Sequence, residues 1–264
     1  MALGGIRFSR PTQPATASGE RIYAIGDVHG RLDLLRAMMI RIEQHHLALE
    51  PVRQTHLVLL GDLVDRGPDS AAVLRMLYNI QQRAPHLIVL KGNHEDMMLR
   101  VLDGEPGMMR QWVKFGGAAT LRSYGIEPPT GDADLLPASA AFSEAVPAEI
   151  KRWLRALPLT ARSGDYFFCH AGIRPGQSLQ SQTSADLLWI REEFLGDPRA
   201  HGGIIVHGHS VSPDIEQLPN RIGIDTGAFR TGILSAMYFE GSAREALREV
   251  GDPDERWGTT SRYD

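Results

Sequence analysis

Several features that would restrict function are scarce in this sequence of 264 residues. It contains one cysteine, Cys169, so no disulfide can form within the chain, and we expect a reducing compartment. No apolar run approaches the roughly 20 residues that a membrane-spanning helix needs. The first 19 residues lack the apolar core of a secretory signal. These absences predict a soluble cytoplasmic protein with no membrane partner.

The chain also lacks an excess of positive charge. Its 28 lysines and arginines are outnumbered by 32 acidic residues, which gives a net charge of −4. A broad electrostatic surface for DNA or RNA is therefore not expected, and no nucleic-acid partner is predicted. The length suits one large domain. We interpret residues 1–19 as a flexible arm, 20–250 as the domain and 251–264 as a peripheral tail.

What the sequence does contain is a repeated pattern of short apolar runs that end in polar motifs. The motifs are, in chain order, Gly26-Asp27-Val28-His29-Gly30, Gly61-Asp62-Leu63-Val64-Asp65-Arg66-Gly67, Gly92-Asn93-His94-Glu95, His170-Ala171-Gly172 and His207-Gly208-His209. Active sites of α/β folds collect at the carboxyl ends of strands. Five such runs therefore predict one site that gathers aspartates, histidines and an asparagine.

The loop from Gly61 to Gly67 is the centre of this pattern. It follows the apolar run Leu57–Leu60 and precedes a helical pattern, so it lies on a strand-to-helix turn. Between the two glycines, which permit a sharp bend, lie two carboxylates and an arginine. The carboxylates could bind a cation, and the arginine could bind an anion beside it.

Three successive strand–helix units open the chain and predict parallel strands covered by helices. The segment 103–158 then contains glycine and proline pairs and helical pieces, but no catalytic motif. Two interpretations of it stay open: an insertion or cap beside the mouth of the site, and a helical layer of the same domain. A hairpin is predicted over 159–170, and short strands over 203–208, 221–224 and 232–239.

With these motifs in this order, the chain resembles the calcineurin-like metallophosphoesterase superfamily, and within it the phosphoprotein phosphatase type. The resemblance spans about Glu20–Phe239. The segments Trp189-Ile190-Arg191 and Ile224-Asp225-Thr226-Gly227-Ala228 are similar to bacterial and phage serine/threonine protein phosphatases. The resemblance implies an α/β fold, an αββα sandwich of two mixed sheets flanked by helices, and a centre that holds two divalent metal ions.

The resemblance also implies a ligand set. Asp27 and His29 are expected to bind the first metal, Asp62 to bridge both, and Asn93, His170 and His209 to bind the second. His209 is preferred over His207, two positions earlier. An aspartate beside glycine at a strand end often forms only a turn, so the joint pattern carries this assignment. Manganese is expected to serve in vitro, with iron or zinc as alternatives, because oxygen and nitrogen donors do not decide between them.

The remaining motif residues are expected to act on the substrate. His94 resembles the family's general acid, and Asp65 would orient it; alternatively the two brace neighbouring loops. Arg66 and Arg191 are expected to hold phosphate oxygens by forked hydrogen bonds. For Arg191, a surface ion pair near Glu192 and Glu193 is the alternative.

The implied function is a metal-dependent phosphoric monoester hydrolase, foremost a serine/threonine protein phosphatase, in which a hydroxide bridging the metals attacks phosphorus. Its partner would be a phosphorylated protein or a small phosphoester. The alternative is a dinucleoside polyphosphate hydrolase, such as one for diadenosine tetraphosphate. A non-catalytic metal-binding scaffold is disfavoured, because all six ligand positions and the His94–Asp65 pair are present.

Overall fold

Successive side chains of the central strand β1 (Glu20–Ile25) point to opposite faces of its sheet, and this determines how the layers pack. Ile22 and Ala24 join the apolar cluster on one side of the strand, while Tyr23 and Ile25 join the cluster on the other side. Both sides are buried, so a layer must cover each face of the sheet. The computed structural model, which describes residues 13–253, supplies a second sheet on one face and helices on the other.

The first sheet has the order β10-β9-β1-β2-β3. β1 is parallel to β2 and β2 to β3, whereas β9 is antiparallel to both β1 and β10. The bounds are β2 Gln54–Leu59, β3 Leu87–Val89, β9 Ile233–Glu240 and β10 Ala243–Val250. Parallel strands leave their carboxyl ends at one edge, where the loops that carry the first three motifs begin.

The second sheet has the order β4-β5-β6-β8-β7. Its three central strands, β5, β6 and β8, run parallel, and an antiparallel strand closes each edge. The bounds are β4 Thr160–Ser163, β5 Tyr166–Cys169, β6 Ile204–His207, β7 Glu216–Gln217 and β8 Arg221–Gly223. Tyr166 and Phe168 pack between the sheets, while Phe167 and Cys169 face outward beneath Phe194.

Helices cover the outer faces of both sheets. Their bounds are α1 Leu32–Leu47, α2 Ser70–Gln81, α3 Asn93–Leu102, α4 Met108–Trp112, α5 Ala118–Ser123, α6 Asp132–Ala145, α7 Ala148–Ala156, α8 Ser184–Trp189, α9 Glu192–Leu195 and α10 Ala228–Thr231. The predicted arrangement of two mixed sheets flanked by helices is therefore confirmed. Within residues 13–253, no helix has both the length and the apolar character that crossing a bilayer requires.

The segment 103–158 packs as part of the first sheet's outer layer. A π-helical turn, Val113–Gly117, joins α4 to α5, and α6 and α7 follow. Trp112, Phe142 and Leu154 are fully buried in the same apolar cluster as β1 and α1. This packing favours the interpretation as a helical layer of the same domain over that of a cap.

The described part of the predicted arm is hydrogen-bonded to one turn of each sheet, between β4 and β5 and between β9 and β10. The backbone N–H of Ala15 donates to Asp165 Oδ2 at 3.0 Å, and that of Thr16 donates to the Gly241 carbonyl at 3.0 Å. Residues 13–19 thus differ from the free arm that the composition suggested. The rest of the arm, 1–12, and the tail from 254 lie outside the described residues.

Candidate functional site

The loops that follow strands of both sheets meet at one place. The N–H groups of Val28 and His29 both donate to the carbonyl of Asp62, at 3.0 and 2.8 Å, which joins the loops after β1 and β2. In the second sheet, the N–H of Gly208 donates to the carbonyl of His170 at 2.8 Å. The predicted gathering of the motifs at strand ends is therefore found in the structure.

Asp62 lies at the centre of the gathered side chains. Its Oδ2 is 3.5 Å from His29 Nε2, and its Oδ1 is 3.4 Å from His170 Nε2. Because His29 comes from the first sheet and His170 from the second, the Asp62 carboxylate reaches both sides of the site. It is 2% exposed, so these contacts are shielded from solvent.

Among residues 13–253, two overlapping groups of side chains could hold metal ions. One consists of His29, Asp62 and His94, and the other of Asp62, His170 and His209; within each group the ligand atoms lie within 4.8 Å of one another. Asn93 adjoins the second group, because its Oδ1 is 2.8 Å from His170 Nε2 and 3.0 Å from His209 Nδ1. Asp62 is common to both groups, as a bridging ligand must be.

Asp27 is placed differently from the other predicted ligands. Its two carboxylate oxygens accept the backbone N–H of His209 at 3.2 and 3.1 Å, and it belongs to neither group. A Cβ on Gly208 would come within 2.1 Å of Asp27 Oδ1, so only glycine fits there. Asp27 thus fastens the end of β1 to the loop after β6.

The orientation of the imidazoles suits ligation. The Nδ1 atoms of His29 and His170 lie 2.8 and 2.9 Å from the carbonyls of Val64 and Leu60. A carbonyl can only accept, so Nδ1 carries the proton and Nε2 turns its lone pair toward Asp62. Burial lowers the pKa of both histidines and of His209, which favours the neutral form that binds metals.

Several buried carboxyl groups surround the site, and burial disfavours their ionised form. Burial, followed by the charges of Asp225 and Asp62, raises the pKa of Asp27. Burial likewise raises the pKa of Asp225 to about 6 and that of Glu95 to about 7. A bound cation would offset this accumulation. Together with shared Asp62 and neutral imidazoles, this donor set fits divalent metal ions.

The backbone of these loops is unusual. Among residues 13–253, the non-glycine residues with positive φ are His29, Asp62, Asp65, Arg66 and His209, with φ between 44° and 73°. Every one of them is a predicted site residue. Left-handed backbone is disfavoured for side chains with a Cβ, so packing must hold it in place.

Glu95 is the principal brace of the Gly61–Gly67 loop. Its Oε2 accepts the N–H groups of Asp62 and Gly92 at 2.9 and 2.8 Å, and its Oε1 accepts those of Leu63 and Val64 at 2.8 and 3.3 Å. Glu95 is completely buried. Its side chain supports the metal-binding groups and belongs to neither of them.

His94 and Asp65 form a buried pair beside Asp62. His94 Nδ1 is 2.6 Å from Asp65 Oδ2, and His94 Nε2 is 3.8 Å from Asp62 Oδ2. Two residues that the sequence analysis did not select complete the surroundings: Trp112 Nε1 donates to Asp65 Oδ2 at 2.7 Å, and Thr120 Oγ1 donates to Asp65 Oδ1 at 2.6 Å.

The glycine pair Gly116-Gly117 is the sequence feature that could have indicated a bend near Trp112 and Thr120. Gly116 has φ 111°, and a Cβ there would meet Arg66 Cγ at 2.6 Å. A Cβ on Gly117 would meet the Trp112 ring at 2.4 Å. The pair thus brings the chain between α4 and α5 close to the Gly61–Gly67 loop.

The two predicted phosphate-binding arginines act on different residues of the site. The Arg66 guanidinium stacks over the ring of Phe229, 4.4 Å from its centroid, and its Nη2 is 3.5 Å from His94 Nε2. Arg191 is half-buried, and its positive charge adds to the burial that lowers the pKa of His170 and His209. Arg191 forms no salt bridge with any residue in 13–253, so the surface ion pair is not found there.

His207 is separated from the gathered ligands. Its ring packs against Phe194, with 5.2 Å between ring centroids, and its Nδ1 is 3.0 Å from the Gly208 carbonyl. Burial lowers the pKa of His207 to about 4. The structure therefore brings His209, and not His207, into the metal-binding groups.

Known proteins similar to this chain carry different functional names. It is 28% identical to serine/threonine-protein phosphatase 2 of Escherichia coli K12, over 81% of this chain and 90% of the relative. It is 31% identical to a symmetrical bis(5'-nucleosyl)-tetraphosphatase of Dechloromonas aromatica RCB, over 58% of this chain. The aligned part spans only 44% of that relative's length.

A solved structure and a family model agree on the fold. The crystal structure of a candidate diadenosine tetraphosphatase matches with a TM-score of 0.60 and 20% identity, covering 90% of this chain and 98% of the other. The model of the calcineurin-like phosphoesterase family matches residues 20–232, which contain every residue of both metal-binding groups. The chain therefore belongs to the calcineurin-like phosphoesterase family of metal-dependent phosphoester hydrolases.

Proposed function

We propose that this chain is a phosphoric monoester hydrolase that acts on phosphoserine and phosphothreonine in proteins. The observation that carries the proposal is the contact of 2.6 Å between His94 Nδ1 and Asp65 Oδ2, within a site where both residues are buried. Asp65 Oδ2 accepts a hydrogen bond from the Nδ1–H of His94, which leaves Nε2 facing Asp62. His94 is thus positioned to give a proton to an oxygen that leaves beside Asp62.

The type of leaving group explains why this pair supports a protein phosphatase. The alkoxide of serine or threonine is a poor leaving group and needs a proton while the P–O bond breaks. A nucleoside polyphosphate leaves as a stabilised anion without such help. A buried, oriented histidine–carboxylate pair is therefore of most use with an alkyl phosphate.

The proposed metal-binding residues are Asp27 and His29 for one ion, Asn93, His170 and His209 for the other, and Asp62 between them. When bound, the two divalent cations supply Lewis-acid polarisation of the phosphoryl oxygens and increase the acidity of water. Two aspartates do not neutralise four positive charges, so the loaded site would attract a phosphate. Manganese is the expected ion in vitro.

Arg66 and Arg191 are proposed to bind the phosphoryl oxygens that face away from the metal ions. The guanidinium of Arg66 lies over the Phe229 ring, and its Nη2 is 3.5 Å from His94 Nε2, so one of its nitrogens is already placed beside His94. Arg191 has no carboxylate partner within 13–253, so phosphate binding would break no ion pair among these residues.

A second candidate is the hydrolysis of dinucleoside polyphosphates. The similarity to a symmetrical bis(5'-nucleosyl)-tetraphosphatase favours it, because the identity of 31% slightly exceeds that to the phosphatase. The length of the match favours the phosphatase, which aligns over 90% of its length compared with 44% for the tetraphosphatase.

A cytoplasmic location, which the single cysteine suggested, stays a prediction.

The deciding experiment compares substrates on one enzyme preparation. The purified full-length protein is stripped of metal, reloaded with manganese, and assayed with a phosphoserine peptide, bis(p-nitrophenyl) phosphate and diadenosine tetraphosphate. We expect kcat/KM to be highest for the phosphopeptide. His94→Asn, with metal content verified, is the matched control for background phosphatase activity.

Two results would contradict the proposal in different ways. A kcat/KM for diadenosine tetraphosphate at least tenfold above that for every phosphopeptide would establish the second candidate instead. Phosphopeptide turnover that survives unchanged in both His94→Asn and Asp62→Asn would point to a contaminating enzyme.

A further inference from the structure

Arg191 forms part of the wall of a pocket of about 340 Å³. Its walls include Arg174, Asp186, Trp189, Arg191, Glu192 and Glu193. Arg191 lines the pocket, and its charge also acts on His170 and His209 at the candidate metal centre. The pocket therefore adjoins the arginine that is proposed to bind the phosphoryl oxygens.

The positive charge of Arg174, on one wall of the pocket, is neutralised by two ion pairs. Arg174 Nε is 2.8 Å from Asp186 Oδ1, and its Nη1 is 2.6 Å from Glu193 Oε2. Two carboxylates therefore share one guanidinium, which leaves no unpaired positive charge on this wall. In addition, the N–H of Ala171 donates to the Leu187 carbonyl at 2.8 Å, so the wall is joined to the loop that carries His170.

The lining of the pocket also contains an aromatic ring and a carboxylate without an ion pair among residues 13–253. Trp189 is 37% exposed, which is unusual for a tryptophan at the end of a packed helix. Glu192 is exposed and makes no salt bridge with any residue in 13–253. An accessible indole beside an uncompensated carboxylate attracts cations, through the ring face and through charge.

We propose that this pocket is a substrate subsite that binds the cationic side chain of a lysine or arginine close to the phosphorylated residue. Trp189 contacts the side chain through its ring, and Glu192 pairs with its charge. This inference rests on the proposed protein phosphatase function and adds a sequence preference to it.

The charge of the pocket distinguishes this ligand from a polyphosphate chain. Its lining carries two arginines and three carboxylates. Of these two arginines, Arg191 is the one whose charge acts on His170 and His209, and with Arg66 it is expected to bind the phosphoryl oxygens. Further phosphates would therefore meet Glu192 without a compensating cation, whereas a lysine or arginine would neutralise it.

The test uses phosphoserine peptides that differ at one position. A single lysine replaces alanine at each position from three residues before to three residues after the phosphoserine, and glutamate is placed at the same positions. We expect kcat/KM to rise about threefold to tenfold for lysine at one or more positions, as for an exposed cation–π contact with an ion pair. The preference should fall as salt concentration rises.

Variants of the pocket then assign the preference. Trp189→Leu and Glu192→Gln should each reduce the ratio of lysine to alanine peptides to about half or less, and leave kcat/KM for p-nitrophenyl phosphate unchanged. Glu149→Gln, an exposed carboxylate on α7 in the other helical layer, is the control for overall charge and should leave the ratio intact.

Each outcome separates this inference from the proposed function. If no phosphopeptide is hydrolysed, the protein phosphatase proposal fails. If phosphopeptides are hydrolysed with no lysine preference, or if Glu192→Gln lowers all peptides equally, only the subsite is overturned. A loss confined to diadenosine tetraphosphate in Trp189→Leu would assign the pocket to a nucleobase and overturn the cation subsite.

Discussion

The indole N–H of Trp112 donates to Asp65 Oδ2 at 2.7 Å, the same oxygen that contacts His94 Nδ1 at 2.6 Å. One carboxylate oxygen thus joins the helical segment 103–158 to the proposed acid. Thr120 holds the other oxygen of Asp65 at 2.6 Å, so the carboxylate cannot rotate without breaking these bonds. The orientation of His94 consequently depends on residues far from any motif.

Replacing Trp112 with phenylalanine tests this dependence. The substitution removes the donated hydrogen bond and keeps most of the apolar volume. Because hydrogen bonds to charged groups contribute about 1.5–3 kcal/mol, we expect unfolding free energy to fall by a similar amount. We also expect kcat/KM for a phosphoserine peptide to fall about tenfold more than for p-nitrophenyl phosphate, measured at equal metal content.

The chain offers a matched control for this variant. Trp153 is also buried, and its Nε1 donates to Gln81 Oε1 at 2.5 Å, in the same helical layer but with no contact to Asp65. Trp153→Phe should lower stability without changing the ratio between the two substrates. An equal change of that ratio in both variants would show that loss of packing, and not the orientation of Asp65, is responsible.

Replacing His94 with asparagine should affect substrates according to their leaving groups. General acid catalysis contributes about 10²–10⁴-fold where a proton is needed, and nitrophenolate leaves without one. We therefore expect His94→Asn to lower kcat/KM far more for the phosphoserine peptide than for p-nitrophenyl phosphate, while metal content stays the same. Asp65→Asn should show the same bias more mildly.

The double variant gives an internal check. His94→Asn combined with Asp65→Asn should be little worse than His94→Asn alone, because members of one catalytic unit are not additive. Arg66→Ala should slow both substrates similarly, since both present the same phosphoryl oxygens. Equal losses on the two substrates for His94→Asn, with chemistry rate-limiting, would remove His94 from the acid role.

Metal removal should abolish activity reversibly, and Asp62 should control binding of both ions. Asp62 belongs to both metal-binding groups, whereas Asp27 belongs to neither and fastens the backbone of His209. Elemental analysis should find both ions depleted in Asp62→Asn and mainly one depleted in Asp27→Asn. Two tightly bound ions in Asp62→Asn would exclude a bridging role, and full turnover in excess chelator would exclude the metal mechanism.

Cys169 should be unreactive in the folded protein. Burial raises the pKa of its thiol, it is completely buried at the end of β5, and its Sγ lies 3.4 Å from the Gly172 carbonyl. Labelling with a thiol reagent should therefore follow global unfolding in denaturant. Rapid labelling of the native protein would show that the end of β5 opens locally.

The site was more predictable from sequence than the elements that support it. Each motif is a short continuous stretch of sequence, so Asp62, Asn93 and His170 could be selected without knowing the fold. Their individual roles stay predictions. Trp112 and Thr120 reach Asp65 across a bend at Gly116; the glycine pair indicates a bend, but the residues that the bend brings to Asp65 depend on the packed fold. Phe229 beneath Arg66 was missed for the same reason.

Strand β10 is difficult to predict from sequence for a different reason. The segment Ala243–Val250 consists largely of alanine, arginine, glutamate and leucine, which favour helix. It nevertheless pairs with β9 along all eight residues, and only Leu247 is buried. Its conformation is set by the edge of an existing sheet and not by its own propensity, because tertiary pairing outweighs small local preferences.

The left-handed backbone at the site affects which substitutions selection for stability would favour in this protein. A non-glycine residue in that conformation costs roughly 1 kcal/mol or more, so five of them cost about 5 kcal/mol, which is comparable to the net stability of many domains. Glycine would relieve the cost but remove a carboxylate, an imidazole or a guanidinium. A screen that selects for thermal tolerance alone should therefore enrich glycine at these five positions and yield robust proteins without turnover, whereas selection for turnover should keep the less stable residues.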